Sequence, residues 1–200
     1  MNLPNKITVF RLIITVIYFI ILAFLDVSLK NEVENTLILD ISTGIFIIAC
    51  ITDLLDGYLA RKLNMQTTFG RMIDPFADKI LIGGSFIYFV HFAQLQKFLV
   101  PWMVIIIIGR EFLVTAMRSY AESKGISFGS KMWGKHKMVL QSVTVIVILL
   151  YLGHSDSVRV AERWIDIGLK ALIWLTLVST VLSAIIYAGD FAKIFRKIDK

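Results

Sequence analysis

Internal disulfides are excluded at the outset, because the 200 residues hold a single cysteine, Cys50. Proline is nearly as scarce, with three in the chain, so little interrupts regular backbone and long helices are permitted. Charge is thin as well. Asp, Glu, Lys and Arg make up 18% of the residues against about 25% in a soluble domain, while 57% are hydrophobic against roughly 45–50%. So little polar material cannot clothe a water-facing surface at this length, and lipid must be the solvent for part of the chain. No small-residue cleavage site follows the apolar stretch after MNLPNKITVFRL, which reads as a retained anchor. Low-complexity tracts and internal repeats are also missing, and the length suits one domain over residues 1–200.

What is present is a succession of apolar runs: Leu12–Leu25, Leu37–Ile51, Ile80–Phe92, Phe98–Ile108, Met138–Leu152 and Ala171–Ala188. A spanning helix needs about 20 residues, so polar residues must extend several of these runs at one end. Number the gaps alternately, starting at the amino terminus. Sixteen of the 21 lysines and arginines then fall on the first side, and only Lys30, Lys97, Arg159, Arg163 and Lys170 on the second. By the positive-inside rule the first side is the cytoplasm, and both termini face it. The expected fold is an all-α integral membrane protein of six transmembrane helices. The formal charge of +6 suits anionic lipid or phosphate ligands. Nucleic acid is set aside, because the cations lie between apolar runs rather than in one patch.

The charges also cluster along the helices. Arg11 opens the first run, and Asp53, Asp56 and Arg61 close the second. Asp74, Asp78 and Lys79 open the third; Arg110, Glu111 and Arg118 close the fourth; Lys135 and Lys137 open the fifth. An ion facing hydrocarbon costs at least ~2.5–3.5 kcal/mol near the bilayer centre, so these groups turn inward or snorkel. Helices that become polar at one level describe a polar cavity open to the cytoplasm.

Positions 53, 56, 57, 60 and 61 share one helical stripe, which reads Asp, Asp, Gly, Ala, Arg. Asp74 and Asp78 share a face at i, i+4. Four carboxylates aimed at one another repel unless cations offset them. Hard oxygen ligands suit Mg²⁺ or Mn²⁺, and four of them can hold two ions, a known device for displacement at phosphorus. Gly57 and Ala60 clear the stripe so that a ligand can approach the backbone. Arg61 can pair with a phosphate or with one of the aspartates. The ordinary alternative is that these aspartates cap helix ends or offset Arg61 and Arg71.

A second group of cations comprises Arg110 and Arg118, two turns apart on one helix, with Lys135 on the next. Such a triangle fits a second phosphate, one carried by an incoming alcohol. Lys124 and Lys131 read as snorkelling cations. His91 and His154 read as interfacial, and His136 lies among the cytoplasmic cations.

The pattern D-x2-D-G-x2-A-R-x8-G-x3-D-x3-D, complete between Asp53 and Asp78, resembles the signature of the CDP-alcohol phosphatidyltransferases. That resemblance implies a displacement in which an alcohol attacks the lipid-side phosphorus of a CDP-linked lipid and CMP leaves. By position, Asp53, Asp56, Asp74 and Asp78 correspond to the metal-site aspartates, and Asp78 also to the general base. The CDP-lipid contacts it implies are Asn5, Thr8, Asp56, Gly57, Ala60, Arg61 and Gly70. Asn5 also suits an ordinary helix cap, and Arg11 suits either a snorkelling anchor or a nucleotide contact. The stretch GREFLVTAMR and the later GKHK resemble the phosphatidylglycerophosphate synthase branch, which uses CDP-diacylglycerol and glycerol 3-phosphate. Homodimers and residence in the cell membrane, among its lipids, come with the family. Two rivals stand beside this reading: a sister enzyme with inositol phosphate or serine as acceptor, and a non-enzymatic cation carrier. A carrier is disfavoured because the acids gather near one face rather than at the midplane.

Overall fold

A computed structural model describes the backbone of residues 3–25, 32–62, 68–126, 132–154 and 162–198, with side chains described for 9–25, 35–53, 76–77, 79–126, 136–154, 163–193 and 195. Six α-helices account for nearly all of it: α1 (Leu3–Ala23), α2 (Glu32–Lys62), α3 (Thr68–Phe89), α4 (Pro101–Ser123), α5 (Met132–His154) and α6 (Glu162–Ile198). Each contains all or most of one of the apolar runs, because a chain in lipid must satisfy its backbone hydrogen bonds internally. The polar ends do continue the helices. α2 runs on past Ile51 to Lys62, α3 opens at Thr68 ahead of Ile80, and α4 continues past Ile108 to Ser123.

Among the described residues, three helices contain stretches long and apolar enough to cross a membrane: Asn35–Asp53, His136–His154 and Arg163–Lys193. Val9–Ala23 and Lys79–Phe89 are shorter apolar stretches. α4 falls outside both groups, since Arg110, Glu111 and Arg118 all enter its first 18 residues.

Three ends differ from the apolar runs. α1 stops at Ala23 rather than Leu25. α3 stops at Phe89 rather than Phe92, and α4 starts at Pro101 rather than Phe98. Pro101 lacks an N–H and holds Val100 extended (φ −101°, ψ 152°), so it sits at the first helical position. The intervening residues turn through a 3-10 segment, Ala93–Leu95, and bury Phe92, Leu95, Phe98 and Leu99. α4 ends in a Schellman motif. Ile126 N–H donates to the Ala121 carbonyl (3.0 Å) and Gly125 N–H to that of Glu122 (2.9 Å), with Gly125 at φ 72°.

α1 packs against both α2 and α3, α2 against α5, α5 against α6, and α6 against α4. The main core joins Tyr18 and Leu22 of α1, Phe46 of α2, Phe86 and Phe89 of α3, Leu149 of α5 and Ile173 of α6. α1 and α3 approach closely at Gly84, where a Cβ would meet the Phe19 ring at 2.5 Å. Tyr18 and Ser85 share a hydrogen bond of 2.9 Å across the same contact.

The distribution of polarity is that of a protein dissolved in lipid. Phe10, Ile13, Val16, Ile20, Ile105, Leu175 and Ile185 point outward, whereas Thr15, Ser42, Ser85, Thr144, Thr176 and Thr180 are buried. Interhelical hydroxyl contacts of this kind bind helices that have no hydrophobic drive to associate in hydrocarbon. Thr144 and Thr176 meet at 2.7 Å, and Gln141 Nε2 reaches Thr180 at 3.5 Å, fixing the register of α5 on α6. Near the carboxyl end of α5, Tyr151 and Lys97 both donate to Asp166, whose carboxylate holds the largely exposed Lys97 ammonium above the usual lysine range.

Candidate active site

The signature divides between two helices. Asp53, Asp56, Gly57, Ala60 and Arg61 lie in the carboxyl-terminal part of α2, and Gly70, Asp74 and Asp78 in the amino-terminal part of α3. Both helices pack on α1. The side chains of Asp56, Ala60, Arg61, Asp74 and Asp78 lie outside the described residues, as do those of Asn5, Thr8 and Lys135. Gly57 and Gly70 are placed by their backbone only.

Asp53 is described, and its carboxylate pairs with the guanidinium of Arg11 on α1. Arg11 is 1% exposed and Thr15 Oγ1 donates to its carbonyl at 2.9 Å. Its side chain is therefore enclosed by protein rather than snorkelling to the interface. Sequence pointed to both partners separately, Arg11 as the charge that opens the first run and Asp53 as the first aspartate of the signature, but not to their meeting. One residue beyond Asp78, the Lys79 ammonium donates to Thr115 Oγ1, and that hydroxyl donates to the Glu111 carbonyl at 2.7 Å. This ties the α3 end of the signature to α4.

The second cluster forms where α4, α5 and α6 converge. Arg110 is 8% exposed. Its Nε donates to Ser183 Oγ at 3.1 Å and its Nη1 to Glu111 Oε1 at 3.1 Å, and its guanidinium lies 5.4 Å from the Tyr187 ring centroid. The third nitrogen, Nη2, is buried and has no hydrogen-bond partner among the described residues. Lys137 is 4% exposed and donates to the same Glu111 oxygen. Arg118 likewise has a buried Nε with no hydrogen-bond partner among the described residues. A buried donor left unmade costs about 1–3 kcal/mol, more when charged, so these nitrogens are suited to an anion that completes them. Lys124, by contrast, is exposed at the end of α4 over the Tyr120 ring (5.9 Å), as a snorkelling cation would be.

Glu111, Lys137, Ser183 and Tyr187 had no assigned part in the sequence reading. Glu111 is detectable as an acid directly beside Arg110 among the cations that end α4 and begin α5. Ser183 and Tyr187 carry no such signal, because a serine and a tyrosine in an apolar run are ordinary.

The sequence pattern of the CDP-alcohol phosphatidyltransferase family matches residues 1–185. The chain belongs to this family. It is accordingly an enzyme of the phosphatidyltransferase class. Among its relatives are proteins named CDP-diacylglycerol–glycerol-3-phosphate 3-phosphatidyltransferase. The one from Bacillus subtilis is 38% identical over 89% of this chain and 91% of its own length. Those from Rickettsia felis and Rickettsia typhi are 33% and 32% identical, covering 97% and 93% of this chain and 97% and 94% of their own lengths.

The family generally uses divalent metal ions. The four signature carboxylates are an all-oxygen donor set, which fits a hard divalent cation. Among the described residues no group of three or more His, Cys, Asp or Glu forms, three of those carboxylates lying outside them. The described member, Asp53, is paired with Arg11.

Proposed function

We infer that the chain transfers the phosphatidyl group of CDP-diacylglycerol to glycerol 3-phosphate, giving phosphatidylglycerophosphate and CMP. The family, the complete signature and the names of the relatives support the reaction. The observation that carries the acceptor is Arg110, a buried guanidinium with one nitrogen that has no hydrogen-bond partner among the described residues.

In this reading an acceptor hydroxyl oxygen bonds to the lipid-side phosphorus, the bond from that phosphorus to the bridging oxygen breaks, and CMP carries away the electron pair. Asp78 takes the hydroxyl proton. Asn5, Thr8, Asp56, Gly57, Ala60, Arg61 and Gly70 contact the CDP-lipid, with Gly57 and Ala60 leaving room on the α2 stripe and Arg61 answering phosphate charge. Arg110, Arg118 and Lys135 hold the acceptor phosphate. Asp53, Asp56, Asp74 and Asp78 would hold two divalent ions, Mg²⁺ or Mn²⁺, whose charge when bound neutralises the diphosphate and polarises the reacting phosphoryl group.

The sixteen-to-five distribution of basic residues supports six spans in the cell membrane, with both termini and a polar cavity on the cytoplasmic side. The homodimer rests on the family resemblance alone. The test is to supply purified protein with CDP-diacylglycerol and a panel of alcohols and to measure CMP with and without chelator. Release with glycerol 3-phosphate, and only with added metal, is expected. Release with inositol phosphate or serine instead transfers the chain to a sister activity, and full release in excess chelator overturns the two-ion reading.

A further inference from the structure

Glu111 lies outside the family signature, yet it is the acid on which the second cluster turns. One of its oxygens, Oε1, accepts from both Arg110 Nη1 and Lys137 Nζ. Both cations are more than nine-tenths buried, and two bare charges at that depth would repel each other and lose their hydration. A carboxylate between them offsets that repulsion.

The geometry matters as much as the charge. A guanidinium presents five N–H donors in a rigid plane. Ser183 holds one edge of the Arg110 plane and Glu111 another, with the Tyr187 ring 5.4 Å from the guanidinium carbon. The partners are themselves fixed. Ser183 Oγ donates to the Thr180 carbonyl at 2.8 Å, and α6 is locked to α5 through Thr144 and Thr176. Glu111 is restrained across the helix gap by Lys137. Two anchored edges define the plane and so the direction of the remaining nitrogen, Nη2.

We propose that Glu111 is a positioning residue for the acceptor: it braces Arg110 against Lys137 so that Nη2 is presented, already oriented, to the phosphate of the incoming alcohol. This rests on the reading of Arg110 as a phosphate ligand. Orienting the fork before binding removes an ordering cost that the acceptor would otherwise meet.

The test is a double-substitution cycle on the full-length protein in detergent, with CMP release measured against glycerol 3-phosphate and CDP-diacylglycerol. Glu111→Gln keeps the shape and removes the charge. It raises the acceptor KM about tenfold or more while the CDP-diacylglycerol KM stays within about twofold. In an Arg110→Ala background the same substitution shifts the acceptor KM by less than about twofold, because no guanidinium remains to orient. Equal fold-changes in the two backgrounds overturn the proposal, since a merely structural carboxylate acts alike in both. Where unbalanced buried charge prevents Glu111→Gln from folding, Glu111→Gln/Lys137→Gln restores the balance and enters the same cycle with the same outcomes. An Arg110→Ala enzyme with an unchanged acceptor KM removes the phosphate reading and the brace together. A raised KM in Arg110→Ala beside an unchanged one in Glu111→Gln removes the brace alone.

Discussion

Arg11 on α1 and Asp53 on α2 form an ion pair whose guanidinium is buried while the carboxylate keeps an exposed edge. The first aspartate of the signature is thus neutralised by the protein while its side chain stays partly exposed. An arginine enclosed between helices with its counter-charge removed is expensive, and the same holds for the aspartate.

Replacing Arg11 with Met therefore destabilises the protein in metal-free detergent by about 2 kcal/mol, below the range for a fully buried pair because Asp53 is partly wet. Added Mg²⁺ recovers most of that loss, since the ion supplies the missing positive charge. Thermal unfolding with and without metal checks both parts. An equal deficit at every Mg²⁺ concentration would mean that the ion does not bind beside Asp53.

Asp78→Asn keeps the size of the side chain and removes its basicity. Turnover should fall ~10²-fold or more. Binding of CDP-diacylglycerol should survive better than in Asp53→Asn, which removes a proposed metal ligand. Steady-state rates and direct binding of the CDP-lipid separate the two variants, and near-normal turnover in Asp78→Asn would exclude it as the base.

Arg118→Ala should raise the acceptor KM and leave that of CDP-diacylglycerol nearly unchanged. A charge-assisted contact of ~1.5–3 kcal/mol corresponds to roughly ten- to more than hundredfold in affinity. Arg118→Lys rescues part of the loss, because an ammonium cannot reproduce the guanidinium fork. If the residue only anchors the end of α4, Arg118→Ala lowers folded yield and the surviving enzyme keeps its acceptor KM.

Orientation is open to cysteine labelling from outside intact cells. Single cysteines near Glu34 and Asp156 should react, and those at Asn64 and Ser127 should not. Ready labelling at Asn64 would reverse the orientation and carry the active-site face with it.

The helices were legible because their information is local. Each apolar run seeds one helix, and the charged extensions of α2, α3 and α4 follow from runs too short to span alone. The discrepancy between α3 and α4 has a local cause as well: Pro101 sets the start of α4, while hydropathy alone places it at Phe98. Arg110 and Arg118 were visible as cations two turns apart on one helix, but the balance around Arg110 was not, and the Lys135 side chain lies outside the described residues. Glu111 could serve its neighbour, a phosphate or nothing, until α5 places Lys137 against it.

By itself the sequence determined the solvent, the six helices and the family, because composition, periodicity and a fixed spacing of aspartates need no long-range information. Tertiary structure decided which charges meet. Arg11 faces Asp53, and Arg110 rests on Ser183 and Glu111, because the register of one helix on another sets these contacts. That register comes from side-chain packing such as Phe19 against Gly84 and from hydroxyl pairs such as Thr144 with Thr176. Such contacts join residues distant in the chain, and no local pattern encodes them.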